Sequence, residues 1–171
     1  MKYSSQYVSF PWAVTVLRVA ALPFLILAFN QEIKAATYAL FLFAVSTDFL
    51  DGYIAKKQKT ASKSGAYFDA TVDFVFVSAM FTVFTLNGLY PLWVVSLICL
   101  VFGQFILTNI ILKQTIYDPI GKYYGSLMYG GVGLTLLFAE PLIYSIVTWG
   151  VVISTVASLI SRAYFLGKQK M

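Results

Sequence analysis

The stretch from Asp48 to Asp73 reads DFLDGYIAKKQKTASKSGAYFDATVD, with two aspartates on either side of a short basic run. Asp48, Asp51, Gly52 and Ala55 fall at i, i+3, i+4 and i+7, which is one stripe of a helix. Gly65, Asp69 and Asp73 fall at i, i+4 and i+8 and make a second stripe. So short a connection between them, Lys56 to Ser64, makes the two helices antiparallel neighbours whose stripes can face each other. Four carboxylates then converge on one small volume.

The surroundings make that cluster expensive. The chain has 171 residues, 60% of them hydrophobic and only 11% charged, against about 25% in ordinary globular proteins. With a mean hydropathy of +0.80, this is the composition of a membrane protein. A carboxylate at membrane depth costs about 2.5 to 3.5 kcal/mol on insertion scales, so the four aspartates, out of seven acidic residues in all, require cationic compensation. A pair of divalent metal ions is the economical candidate. Oxygen-only ligands select hard cations, which favours Mg2+ or Mn2+ over Ca2+ at a tight phosphate site.

A hydrocarbon core of about 30 Å needs about 20 apolar residues per helix. Six stretches suit: Trp12 to Ala28, Ala35 to Ala55, Ala66 to Leu86, Trp93 to Leu112, Gly125 to Ala139 and Leu142 to Leu166. The fifth is short unless it begins nearer Lys122. No polar stretch is long enough for a separate soluble domain, so residues 1–171 are expected to form a single membrane domain with its site inside the bundle. Met1 to Phe10 does not resemble a cleavable signal peptide, so the first helix is expected to stay in the mature protein.

Asn30-Gln31-Glu32, Asn87-Gly88-Leu89-Tyr90-Pro91 and Glu140-Pro141 mark three short turns on one side. On the other side stand Lys2, then Lys56, Lys57, Lys59 and Lys63, then Lys113 and Lys122, then Arg162, Lys168 and Lys170, with only Lys34 opposite. The positive-inside rule makes the basic side cytoplasmic, with both termini there. The expected fold is thus an all-α integral membrane protein of six transmembrane helices. A net charge of +5 and a pI near 9.3 suit anionic lipid headgroups, and no soluble surface supports a nucleic-acid partner. A bacterial inner membrane, with the active site on the cytoplasmic side, suits the small size and the lack of targeting segments.

The segment D-x2-D-G-x2-A-K-x8-G-x3-D-x3-D resembles the CDP-alcohol phosphotransferase signature, which has Arg where this chain has Lys56. All spacings agree over these 26 of 171 residues. Pro11, Thr15, Arg18 and Pro23 are similar to the family's first-helix pattern P-N-x2-T-x2-R-x4-P, with Trp12 in place of the asparagine. The resemblance implies transfer of a phosphatidyl-type group from a CDP-linked lipid such as CDP-diacylglycerol to a small alcohol, with release of CMP, by a two-metal in-line mechanism in a homodimer. Carried over position by position, Asp48, Asp51, Asp69 and Asp73 ligate two Mg2+ or Mn2+ ions, and Asp73 is also the general base. Gly52, Ala55 and Gly65 admit the nucleotide, and Lys56 holds its diphosphate.

Lys56 is a compact point charge, whereas Arg offers a planar fork, so a catalytically weakened CDP-lipid binder is one alternative. Another is a divalent-cation transporter or channel using the aspartates as its ion site. That reading needs carboxylates near the midplane reached from both sides, whereas these adjoin a basic loop. For the acceptor, glycerophosphate enzymes of the family often carry Arg-Glu in helix four, where this chain has Gly103-Gln104, and Phe74 rather than a basic residue follows the fourth aspartate. Both features point away from glycerol phosphate.

Arg18, within the first apolar stretch, has two readings: pairing with an aspartate or snorkelling to headgroups, and contact with substrate. Lys113, Lys122 and Arg162 satisfy topology and could also meet an acceptor phosphate. Gln104, Thr108 and Asn109 are expected to be helix glue, and Gly121, Gly125, Gly130, Gly131 and Gly133 a close-packing surface. Most of the 15 Phe and 12 Tyr are read as lipid contacts or interfacial belt, and Cys99 as a packing residue.

Overall fold

A computed structural model describes the backbone of residues 9–58, 63–112 and 119–169, and the side chains of 16–47, 68–108 and 123–167. Over these residues the chain is entirely helical apart from its turns. The helices are α1 (Ser9–Asn30), α2 (Lys34–Gln58), α3 (Lys63–Leu86), α4 (Leu92–Leu112), α5 (Pro119–Leu137) and α6 (Pro141–Gln169). Each expected stretch is a helix. The largest shifts fall at the basic connections, which are shorter than expected. α2 continues through Lys56, Lys57 and Gln58, which are good helix formers, so Lys56 stands in its last turn rather than in a loop. α5 starts at Pro119, whose fixed φ suits the first helical position.

Two of the sequence-marked turns share one capping geometry. After α1, Ile33 N–H donates to Ala28 C=O at 2.9 Å and Glu32 N–H to Phe29 C=O at 3.0 Å, with Glu32 at φ +57°. After α3, Leu89 N–H donates to Phe84 C=O at 2.9 Å and Gly88 N–H to Thr85 C=O at 3.0 Å, with Gly88 at φ +77°. Both are Schellman caps, which satisfy carbonyls left over by the last helical turn. The third turn is tighter, and Pro141 restarts the chain as α6.

The chain divides into two compact units, Met1–Phe76 and Val77–Met171, with the boundary inside α3. In the first unit α1 packs along α2. The buried face of α1 carries Arg18, Ala21, Leu22, Leu25 and Ala28, and that of α2 carries Thr37, Ala44 and Thr47. Small residues on both sides let the backbones approach closely. On the first half of α3, Val72 and Phe76 are buried on the stripe that also holds Asp69 and Asp73.

In the second unit α6 packs against both α4 and α5. Phe81, Phe84, Tyr90 and Tyr144 form an aromatic cluster with ring centroids 5.4 to 6.1 Å apart. Thr135 donates to Gly131 C=O at 2.7 Å and so receives the Tyr90 hydroxyl, 2.6 Å away. A β-carbon on Gly131 would stand 3.2 Å from Val147 of α6 and 3.4 Å from Phe81, so the close-packing reading holds there. Gly125 and Gly130 face open space instead. Thr108 caps Gln104 C=O of its own helix at 2.7 Å, and Cys99 is exposed rather than packed.

Polarity is distributed as lipid solvation demands. Buried side chains include Arg18, Thr135, Thr155, Ser158 and Arg162, while Leu17, Phe24, Leu42, Leu107, Trp149, Ile153 and Ile160 are all more than half exposed. In water that arrangement would leave large apolar patches, whereas in a bilayer it leaves none unsolvated. Among the described residues two helical segments are long and apolar enough to cross a membrane, Phe68–Leu86 and Pro141–Gly167. Val16–Asn30, Lys34–Thr47 and Leu92–Thr108 are shorter apolar segments within the described residues.

Candidate active site

The site is built on α3. Asp69 and Asp73 lie one helical turn apart on the stripe that their spacing indicates, and Arg18 of α1 reaches both. Its Nη1 donates a hydrogen bond to Asp73 Oδ1 and lies 3.6 Å from Asp69 Oδ1. Arg18 is fully buried, whereas the Asp69 and Asp73 side chains keep 39% and 23% of their exposure. The cation thus backs the carboxylates from the protein side. A charge-assisted bond of this kind is about twice as strong as a neutral one, and leaving a buried guanidinium without its carboxylate is costly.

Of the other sequence-derived site residues, Asp48, Asp51, Gly52, Ala55 and Lys56 occupy the last three turns of α2, and Gly65 the first turn of α3. Their side chains lie outside the described residues, as does that of Lys122; Lys113 falls outside them altogether. Arg18 is the residue that the sequence reading left undecided and the tertiary structure brings to the site. Position 18 continues the buried stripe 21, 22, 25 and 28, which the tertiary structure marks and the uniformly apolar sequence of α1 does not.

A second buried cation stands in the other unit. Arg162 of α6 is 4% exposed, its Nη2 donates to Phe105 C=O at 3.4 Å, and its guanidinium carbon lies 5.0 Å from the Phe105 ring centroid. It is therefore not a headgroup-facing topology residue. In the same unit, the hydroxyls of Tyr124 and Thr155 are 3.1 Å apart.

The family model for CDP-alcohol phosphatidyltransferases matches residues 8–159, nearly the whole chain and all of the residues above except Arg162. The chain belongs to the CDP-alcohol phosphatidyltransferase family. Among its curated relatives it is 39% identical over 79 residues to CDP-diacylglycerol–glycerol-3-phosphate 3-phosphatidyltransferase 2 of Arabidopsis thaliana, covering 44% of this chain and 34% of the relative. It is 43% identical over 72 residues to the cardiolipin synthase (CMP-forming) of Oryza sativa subsp. japonica, covering 40% and 22%. To CDP-diacylglycerol–glycerol-3-phosphate 3-phosphatidyltransferase of Haemophilus influenzae it is 39% identical over 72 residues, covering 40% of this chain and 39% of the relative. The chain thus spans less than half the length of the curated relatives it matches.

CDP-alcohol phosphatidyltransferases are in general divalent-metal dependent. The described part of the site fits a hard cation: Asp69 and Asp73 offer only oxygen donors, and their partly exposed carboxylates gather around one positively charged nitrogen. Among the described residues no group of three or more potential ligating residues occurs, and the side chains of Asp48 and Asp51 lie outside them.

Proposed function

We propose that this protein transfers a phosphatidyl group from CDP-diacylglycerol to the hydroxyl of glycerol 3-phosphate and releases CMP. The observation that carries the reading is the α3 carboxylate pair backed by buried Arg18, inside a chain matched to the family over residues 8–159. Asp73 takes the proton of the acceptor hydroxyl. The freed oxygen bonds to the phosphorus of the lipid phosphate as the bond from that phosphorus to CMP breaks, so CMP leaves with the electron pair. Asp48, Asp51, Asp69 and Asp73 would hold Mg2+ or Mn2+, which would supply neutralisation of the diphosphate charge when bound. Gly52, Ala55 and Gly65 leave room for the nucleotide along the helix backbones, and Lys56 meets its diphosphate.

For the acceptor, the names of the Arabidopsis and Haemophilus relatives weigh against the hints from Gly103-Gln104 and Phe74 and support glycerol 3-phosphate. The working topology is six spans with both termini and the active site on the cytoplasmic side, in a dimer, as the distribution of basic residues and the family suggest.

Purified full-length protein, supplied with CDP-diacylglycerol and Mg2+ or Mn2+, is expected to release CMP when glycerol 3-phosphate is added, and not after Asp73→Asn. CMP release with another alcohol alone overturns the acceptor assignment. No CMP release with any alcohol, together with divalent-ion flux in proteoliposomes, overturns the transferase reading.

A further inference from the structure

We propose that a groove at the start of α6 holds one acyl chain of a bilayer phospholipid. The proposal rests on the membrane setting of the fold and is independent of the transferase reading. The groove lies wholly within the second unit and measures about 350 Å3, the size of a small-ligand site. The chain around the α3–α4 turn contributes Leu89, Pro91 and Trp93, and α6 contributes Tyr144, Thr148 and Trp149.

Shape, chemistry and rigidity select the occupant. On α6 the lining positions 144, 145, 148, 149 and 152 form one helical stripe, so the groove runs about 12 Å along that helix. The segment Pro141–Gly167 is long and apolar enough to cross a membrane, which sets the groove parallel to the lipid chains of the leaflet in which α6 begins. None of the lining residues is charged, so nothing in the lining holds a diphosphate, and the donor lipid is not its ligand. The Ser145 hydroxyl donates to Pro141 C=O at 3.0 Å and the Thr148 hydroxyl to Tyr144 C=O at 2.7 Å, so their protons are spent within α6 and the groove is left to hydrocarbon. Trp93 and Trp149 are 47% and 65% exposed, and their indole N–H groups suit the ester carbonyls of a phospholipid at the headgroup boundary.

The lining is also set before any lipid arrives. The Schellman cap at Gly88 fixes Leu89 through its bond to Phe84 C=O, and Val94 N–H donates to Pro91 C=O at 3.0 Å. The Tyr144 ring packs 5.7 Å from that of Tyr90, which is held in turn by Thr135. Lipid tails are as apolar as the protein surface, so a chain gains nothing from leaving water here. Its gain is dispersion contact with a lining that needs no further ordering.

The test uses full-length protein in phosphatidylcholine liposomes containing a phosphatidylcholine with a photoactivatable diazirine on one acyl chain, and adduct sites are mapped by mass spectrometry. Wild type is compared with Ser145→Phe and Val152→Phe, which fill the groove, and with Ile153→Phe, which adds the same ring to an exposed α6 position outside it. Labelling at 89–93 and 144–152 is expected to exceed that at Ile160, which is as exposed as Trp149, and to fall about threefold in the filled variants but not in Ile153→Phe. Thermal unfolding identifies any filled variant that has lost its fold. Wild-type labelling no stronger in the groove than at Ile160 overturns the proposal without any variant, and so does undiminished labelling in a folded Ser145→Phe or Val152→Phe. Excess CDP-diacylglycerol is expected to displace the label no better than unlabelled phosphatidylcholine; selective displacement would make this the donor's groove and overturn the assignment. Protection of the groove from label together with cross-linking through it to a second copy of the chain would likewise overturn it.

Discussion

Arg18 of α1 donates a hydrogen bond to Asp73 of α3 from a fully buried position, joining two residues 55 apart in sequence. The pair makes charge at Asp73 and acceptor capacity at Asp73 separable. Asp73→Asn keeps an oxygen for Arg18 and should leave the protein folded while removing the base and abolishing CMP release. Asp73→Ala leaves the guanidinium without that bond and should lower stability by about 3 kcal/mol as well. Thermal unfolding in detergent beside CMP release distinguishes them, and equal unfolding temperatures for the two variants would refute the account.

The two Schellman caps give opposite expectations for the same backbone geometry. Glu32 holds φ +57° with a side chain that dislikes it, so Glu32→Gly should stabilise by about 1 kcal/mol. Gly88 at φ +77° already has the suitable residue, and Gly88→Ala should destabilise by about 1 to 2 kcal/mol even though open space surrounds it. Unfolding midpoints that move the other way would rule out the left-handed assignment.

Adjacent glycines in α5 separate packing from propensity. Gly131→Val drives branched carbons toward Val147 and Phe81 and should cost about 1 to 3 kcal/mol. Gly130→Ala meets nothing within 4 Å and should gain up to about 1 kcal/mol through helix propensity. Similar losses at both positions would show that α5 does not meet α6 through Gly131.

Tyr90 lies in the turn between α3 and α4. Its phenol is pushed up from 10.0 to about 12, chiefly by burial, with the Thr135 hydrogen bond opposing and Tyr144 adding to the rise. The folded state therefore keeps a proton that the unfolded state releases above about pH 10, so the stability present below that pH is lost as pH rises toward about 12. Tyr90→Phe removes one buried hydrogen bond, costing about 1 kcal/mol at neutral pH. The stability difference between wild type and Tyr90→Phe should fall above pH 10 and change sign before pH 12. A difference that stays constant to pH 12 would mean that Tyr90 is solvated.

Much of this was legible in the chain itself, for a physical reason. Helix positions follow from the length of apolar runs, and the turns from residues with distinctive backbone preferences, so Gly88, Pro141 and the 30–33 turn stand where local chemistry sets them. The aspartate stripes follow from helical periodicity, and the family from their spacing. Local chemistry also explains the misses: Lys56 and Lys57 signal a polar connection by charge, yet helix propensity carries α2 through them to Gln58. Which side of a helix meets which neighbour is not a local property. Only the tertiary structure decided that Arg18 goes to Asp73 and Asp69 rather than to lipid headgroups, that Arg162 is buried against Phe105, and that Gly131, not Gly130, admits the neighbouring helix. Each depends on contacts between residues far apart in sequence, where burial of a charge or a β-carbon has an energy only once the partner is in place.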